Sequence, residues 1–124
     1  MKRSILLFIA FVALAACQTT GGTAPSLADI QAKVCPPVKA VLVVLENSPT
    51  VDAALQARLK EADPLVNIAC IADAAITAGD LHALADRALP VLLEVVAAAP
   101  LSDDQKNAAI LGIAVAQAAI SAAR

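Results

Sequence analysis

Apolar residues recur at helical spacing along most of the chain beyond residue 26. Over residues 37–47 they stand at positions i, i+3, i+4 and i+7, which predicts a helix with one apolar stripe, formed by Val38, Val41, Leu42 and Leu45. Val43 and Val44 widen this stripe, so we expect much of the helix to be buried.

Two prolines separate this helix from a shorter one before it. Ser26 and Asp29 have the spacing that opens a helix, which we expect over residues 30–34. Pro36 and Pro37 should then end this short helix, because proline has no backbone N–H to donate. Proline is tolerated in the first turn of the helix that follows.

Two further helical patterns come next. Thr50 is the expected cap of the first, whose inner face consists of Val51, Leu55, Leu59 and Ala62. Asp63 and Pro64 interrupt that pattern, either as a kink or as a new start with Asp63 as the cap. Helical spacing then resumes at Leu65, Ile68, Ala69, Ala72 and Ile76. Gly79 is the expected stop.

Asp80 is the expected cap of the next helix. One face of this helix carries Leu81, Leu84, Ala85, Ala88, Leu92, Val96 and Ala99. Pro90 lies inside the pattern and should kink the helix, since it removes one backbone donor. Pro100 should end it.

The last helix begins with a capping-box pattern from Ser102 to Gln105 and should run to about residue 123. Residues 108–116 are all apolar or glycine, and a helix that is apolar on every side lies in a core or against lipid or a partner. The helix is too short and too rich in alanine to predict a membrane span.

Large apolar residues of this last helix are the candidates for contact with a partner protein or a membrane: Ile110, Leu111, Ile113, Val115 and Ile120. The three isoleucines lie towards one side of the helix, and the other two residues lie with Ala118 towards another. We expect one side to pack inward and the other to form an exposed patch, which is typical of a contact surface. The alternative is a central helix that is buried all round.

These start and stop signals agree with one another and predict an all-α fold over residues 27–124. A composition rich in Ala, Leu and Val favours helices over sheet. We expect a small bundle of four or five short helices, arranged as helical hairpins, with a flexible tether in front of it.

The first 17 residues have the parts of an export signal. Lys2 and Arg3 supply positive charge, and residues 5–13 form an apolar run well short of the roughly 20 residues that span a bilayer. The next four residues are Leu14, Ala15, Ala16 and Cys17. This order of charge, apolar run and small residues before a cysteine resembles the signal peptide and lipobox of bacterial lipoproteins.

The resemblance implies cleavage between Ala16 and Cys17, diacylglycerol on the Cys17 thiol and an acyl chain on the new amino group. Residues 1–16 would be the signal peptide and residues 17–26 the lipidated cysteine with its flexible tether. Several acyl chains give stable membrane anchoring. In better-studied lipoproteins, an aspartate directly after the lipidated cysteine resembles an inner-membrane retention signal. This chain has Gln18 at that position, which favours the outer membrane, facing the periplasm. An ordinary secretory signal is the alternative.

Removal of the signal changes the charge and the aromatic content. Lys plus Arg falls from 9 to 7 while Asp plus Glu stays at 11, so the net charge becomes −4. This negative charge argues against nucleic acid as a binding partner and against electrostatic binding to anionic lipid through a polybasic segment. Phe8 and Phe11 are the only aromatic residues. Sugar and nucleobase sites usually rely on aromatic stacking, so these ligands are disfavoured.

Cys35 and Cys70 are the two cysteines that remain. An even pair in an oxidising compartment predicts one disulfide. The alternative is a pair of free thiols with redox or metal roles, but the chain has no Cys-x-x-Cys motif and only one histidine, His82.

No catalytic pattern is present in the sequence, which has no nucleophile elbow, phosphate loop or zinc-protease motif. His82 lies in the first turn of a helix and is interpreted as a solvated surface residue. Asp103 and Asp104 are explained by the positive end of a helix. We therefore expect no enzyme, no cofactor, no metal site and no small-molecule substrate.

The leading hypothesis is a lipid-anchored protein of the cell envelope that works by protein binding or structural contact. Helix grooves lined by Ala, Val and Leu would receive an apolar segment of another envelope protein. The alternative is a membrane-active or lysis-associated lipoprotein of prophage type, which uses its hydrophobic C-terminal helix.

Overall fold

The part of the chain that the structure describes is built of helices. A computed structural model describes residues 24–71 and 75–123, and no strand occurs among them. The elements are α1 (Leu27–Glu46), α2 (Ala53–Ala69), α3 (Ala78–Ala83), a π-helical turn (Leu84–Ala88), α4 (Leu89–Ala98) and α5 (Asp103–Ser121). The prediction of a small all-α bundle is confirmed. The expected lipid site and most of the tether lie outside the described residues.

The bundle is arranged around α1. This helix packs along α5 and along α2, and α4 packs against both α2 and α5. The buried residues are all apolar within the described ranges, and the largest of those that are almost completely buried are Leu45, Leu84, Leu89, Leu92, Ile113 and Ile120. Each side chain of this size contributes about 1.5–3 kcal/mol when it is fully buried, so the apolar core is the main source of stability.

The first helix continues through both prolines, so the predicted break at Pro36 and Pro37 is wrong. Each proline removes one helical hydrogen bond, at a cost of about 3 kcal/mol or more in a helix interior. The buried stripe of α1, however, begins before the prolines and continues after them, through Ile30, Val34, Val38, Val41, Leu42 and Leu45. A break would remove one half of this stripe from the core, and its burial outweighs the lost bonds.

Val43 and Val44 do not widen the buried stripe, and this expectation is wrong. Both side chains are exposed, although Leu42 and Leu45 on either side of them are buried. Among the described residues, α1 is covered on only part of its circumference, chiefly by α2 and α5 and to a smaller extent by α4. Apolar residues outside the covered face therefore reach the surface.

The second helix begins and ends at positions other than those predicted. Asp52, not Thr50, is its cap, and the Leu55 N–H donates to the Asp52 carboxylate over 2.9 Å. The helix is not interrupted at Asp63 and Pro64, and it stops at Ala69 before the expected end. Its buried face runs through Leu59, Ala62, Val66 and Ala69, so the same register is kept on both sides of the proline.

A glutamine from α1 holds the end of α2. The Gln31 side-chain amide donates to the carbonyl oxygens of Ala69 (2.9 Å) and Ile71 (3.0 Å). The last carbonyls of a helix have no partner within the helix, so such bonds stabilise a helix end. The chain then leaves the helix at Cys70, and Ile71 and Ile76 are not helical, although the apolar spacing predicted that the helix continues to Ile76.

Three helices open with a capping box, in which two residues three positions apart accept hydrogen bonds from each other's backbone N–H. The pairs are Ser26 with Asp29, Thr77 with Asp80, and Ser102 with Gln105. The first and third were predicted. At the second we expected Asp80 to be the cap and Gly79 to stop a helix, but Thr77 is the cap and Gly79 lies in the first turn of α3.

The capping bonds lower the pKa of both aspartates. For Asp29 the largest cause is the hydrogen bond from the Ser26 hydroxyl, and for Asp80 it is the bond from the Thr77 backbone N–H. Each bond favours the ionised carboxylate, which also lies at the positive end of its helix.

A π-helical turn lies just before Pro90, the residue at which a kink was expected. This turn, Leu84–Ala88, directly precedes α4, and Pro90 lies in the first turn of α4. A π turn interrupts the regular hydrogen-bond ladder, so it accommodates a residue that has no N–H to donate. Leu84, Ala88 and Leu89 are completely buried, so the core is continuous through the turn.

A disulfide joins α1 to the end of α2, as predicted. Cys35 and Cys70 are bonded, with their Cα atoms 5.5 Å apart and a sequence separation of 35 residues. Both residues are buried at the edge of the core. Among the residues described, none of the helices has the length and apolar character needed to cross a membrane.

We expect the double variant Cys35→Ala/Cys70→Ala to unfold more easily than the native chain. A closed loop of this length stabilises the folded state by about 3–4 kcal/mol, because it restricts the unfolded chain. Urea unfolding followed by far-UV circular dichroism measures the difference. Reductant should reproduce the loss in the native chain and should leave the double variant unchanged. Equal stability of all samples would contradict a stabilising disulfide.

Candidate functional site

Burial divides the five candidate contact residues of the last helix into two groups. Ile113 and Ile120 are 0% and 1% exposed, so they belong to the core of the folded domain. Leu111, Val115 and Ile110 are 65%, 49% and 43% exposed. The helix is therefore not buried all round, and three of its large apolar side chains are accessible.

The helical period explains this division. The buried positions of α5 are Ala109, Ile113, Ala116 and Ile120, which follow one another at intervals of four, three and four residues. Such positions share one face of a helix. A second set with the same kind of spacing lies on the opposite face and is exposed. We call it the α5 stripe, and its members are Ala108, Leu111, Val115, Ala118 and Ala122.

Charged groups are absent from the centre of the α5 stripe. Asp103 and Asp104 lie at the N-terminal end of α5, and Lys106 donates to the Ala97 carbonyl oxygen over 3.2 Å. Between residues 107 and 123 the chain has no charged side chain. The exposed face is thus an uncharged apolar strip with an acidic end.

A groove runs between α1 and α5 beside this stripe. We call it the α1–α5 groove. Its volume is about 230 Å³, and it is lined by Pro37, Ala40, Val41, Val44, Gln105, Ala108, Ala109 and Gly112. Ligand pockets for small molecules generally have about 300–1,000 Å³ and a few converging polar groups. This groove is smaller and almost entirely aliphatic, so it suits one or two apolar side chains of a partner.

Gly112 sets the distance between the two walls of the groove. A methyl group in place of its hydrogen would lie 3.2 Å from Cβ of Pro37 and 3.9 Å from a methyl group of Val41. The proline ring therefore packs directly on the glycine. The sequence reasoning missed this contact, although a glycine inside a helix costs about 1 kcal/mol relative to alanine and so indicates a close approach.

The residues that carry reactive groups do not converge on the groove. His82 is exposed on α3, and Asp103 and Asp104 are exposed at the start of α5. Within the described ranges, no three His, Cys, Asp or Glu side chains lie close enough to hold a metal ion. The remaining predicted site residue, Cys17, lies outside the described residues.

No family model, no curated protein and no solved structure matches this chain.

Substitution at Gly112 should show whether packing against α1 or helix propensity has the larger effect on stability. By propensity alone, Gly112→Val would stabilise α5 by a few tenths of a kcal/mol, and Ala114→Val, at an exposed position, would destabilise it by roughly as much. We expect the reverse order, because the valine at position 112 collides with Pro37 and Val41. Overpacking of this kind lowers the free energy of unfolding by about 1–3 kcal/mol, and urea unfolding measures the difference. A Gly112→Val variant as stable as the native chain would contradict the close approach.

Proposed function

We propose that this chain is a lipid-anchored lipoprotein of the cell envelope, whose helical domain is non-catalytic and acts by binding an apolar segment of another envelope protein. The proposal carries forward the lipobox at Cys17 and adds the surface of the domain. The α1–α5 groove is the observation that carries the binding role, since it is an open aliphatic recess on the surface.

The anchor is supported by the residues around Cys17. A positive start, an apolar run of signal-peptide length and two alanines before the cysteine are the features that a lipoprotein signal needs. The net charge of −4 after cleavage gives the domain no electrostatic attraction to anionic lipid, so acyl chains would supply the attachment.

The partner's chemistry follows from the lining of the groove. Ala40, Val41 and Val44 form one wall, and Ala108 and Gly112 belong to the other. Aliphatic walls without charge favour aliphatic side chains, because burial of apolar surface provides the free energy and no polar group is left unpaired. A helix or extended segment that inserts one or two such side chains fits this space.

A membrane-active or lysis-associated role is the second candidate, and the exposed α5 stripe is the observation that favours it. Leu111 and Val115 could enter the boundary of a bilayer. Helices that lie in this boundary usually combine basic residues with Trp or Phe, and α5 has no aromatic residue. The first candidate therefore fits the composition better.

Lipidation is tested by growing the native host with radiolabelled palmitate. The native chain should take up label, and Cys17→Ser should take up none, because Cys17 is the proposed acceptor. Cys35→Ser/Cys70→Ser is the matched control and should keep the label. Intact-mass analysis should show a mature chain that begins at Cys17. An unmodified chain, or one that begins elsewhere, would refute the anchor.

Binding is tested with a photoreactive amino acid at Val44, on the rim of the groove, in the native host. We expect a covalent adduct with another envelope protein after irradiation. The same amino acid at Ile68, an exposed residue of α2, is the control and should give no such adduct. Adducts with lipid alone would support the membrane-active role instead. Adducts with a second copy alone, or none, would contradict the proposed partner.

A further inference from the structure

We infer that the α5 stripe is a self-association surface, which pairs with the same stripe of a second copy of this chain in the antiparallel direction. The surface differs from the α1–α5 groove, and only Ala108 belongs to both. Leu111 at 65% and Val115 at 49% exposure stand at its centre.

The spacing of the stripe is that of a helix pair. Its positions, at intervals of three, four, three and four residues, repeat the seam along which two helices pack side by side. The opposite face of α5 already serves the core, so the seam has no partner within the described part of this chain.

The order of side-chain sizes makes the stripe complementary to itself when it is reversed. Its first four members are small, large, large and small, namely Ala108, Leu111, Val115 and Ala118. In an antiparallel pair centred at position 113, Leu111 lies opposite Val115 of the second copy, and Ala108 lies opposite Ala118. Each large residue meets a large one and each alanine an alanine, which is the matching that a two-fold interface requires.

Charge selects the antiparallel direction. A parallel pair would place Asp103 and Asp104 of both copies side by side, and four carboxylates at one end repel one another. In the antiparallel pair Asp104 lies opposite Ala122, and the two Asp104 residues are about 27 Å apart along the helix axis. This separation exceeds the Debye length of about 8 Å in physiological salt, so their repulsion is screened.

The small ends of the stripe also favour a protein helix over lipid. Alanines at positions 108, 118 and 122 allow two helices to approach at the short end of the usual 8–10 Å axis separation. Contact along one helix falls below the roughly 800 Å² per partner of a standard interface, so the pair is weak. Confinement of both copies to one membrane surface would favour it (this point alone rests on the proposed lipid anchor).

The register is tested with single cysteines in two differently tagged full-length chains, produced together in the native host. One chain carries Ala108→Cys and the other Ala118→Cys, and a short bismaleimide is added to the intact cells. The mixed product should exceed both the 108–108 and the 118–118 products by about tenfold or more. Residues 108 and 118 meet in the antiparallel pair, whereas like positions are about 15 Å apart along the axis. Chains without an introduced cysteine give the background.

Two variants show whether the stripe itself carries the contact. Leu111→Asp in both chains should remove the mixed product, because two carboxylates then enter the seam. Ile68→Asp, an equal change at an exposed position of α2, should retain it. Formation of the Cys35–Cys70 disulfide in both variants verifies that they fold.

Other products overturn the inference. Predominant 108–108 and 118–118 products would mean a parallel pair, and a mixed product that survives Leu111→Asp would mean contact elsewhere. Cross-links to an unlike protein only, or none at any position, would mean that a second copy does not cover the stripe. None of these results alters the test at Val44, which probes the groove.

Discussion

Burial of one continuous stripe on α1 is the interaction on which the rest of the structure depends. The stripe from Ile30 to Leu45 packs against both α2 and α5, and α1 remains helical through Pro36 and Pro37 because a break would divide it. The other contacts follow from this geometry. The Cys35–Cys70 disulfide and the hydrogen bonds from Gln31 both join α1 to the end of α2. On the α5 side, Pro37 packs against Gly112.

Small residues shape the surface as much as the core. Alanine and glycine let α1 and α5 lie close together, and they leave a shallow aliphatic groove where larger side chains would have filled the space. A domain with few helices cannot enclose an element as apolar as α5 on every side. Leu111 and Val115 remain exposed for this reason. Exposed apolar surface of this kind, without aromatic or charged groups, is suited to contact with other helices.

Two surfaces of different character lie next to each other on this domain. The groove is a recess with two walls, and it suits inserted side chains. The α5 stripe is a convex ridge, and it suits a second helix laid along it. Attachment through Cys17, as proposed, would keep both surfaces close to the membrane, where partners are confined to two dimensions and weak contacts become effective.

Local chemistry explains what could be predicted from the sequence. Helical content, the capping boxes at Ser26 and Ser102, and the cysteine pair follow from short-range patterns, and a residue's own neighbours determine them. The signal peptide and lipobox that we propose at residues 1–17 rest on a local pattern of the same kind. The exposure of Leu111 and Val115 was expected for one side of the last helix, but the sequence alone did not decide between that and full burial.

Tertiary structure decided the rest, because those features depend on residues far apart in the chain. Pro36 and Pro37 predicted a break, and Pro64 predicted a kink or a new start, yet packing against neighbouring helices kept α1 and α2 continuous. Val43 and Val44 resemble core residues until it is known that α1 has neighbours on only part of its circumference. The groove lies where Gly112 meets Pro37 across 75 residues of sequence, a contact that helical periodicity within either segment cannot reveal.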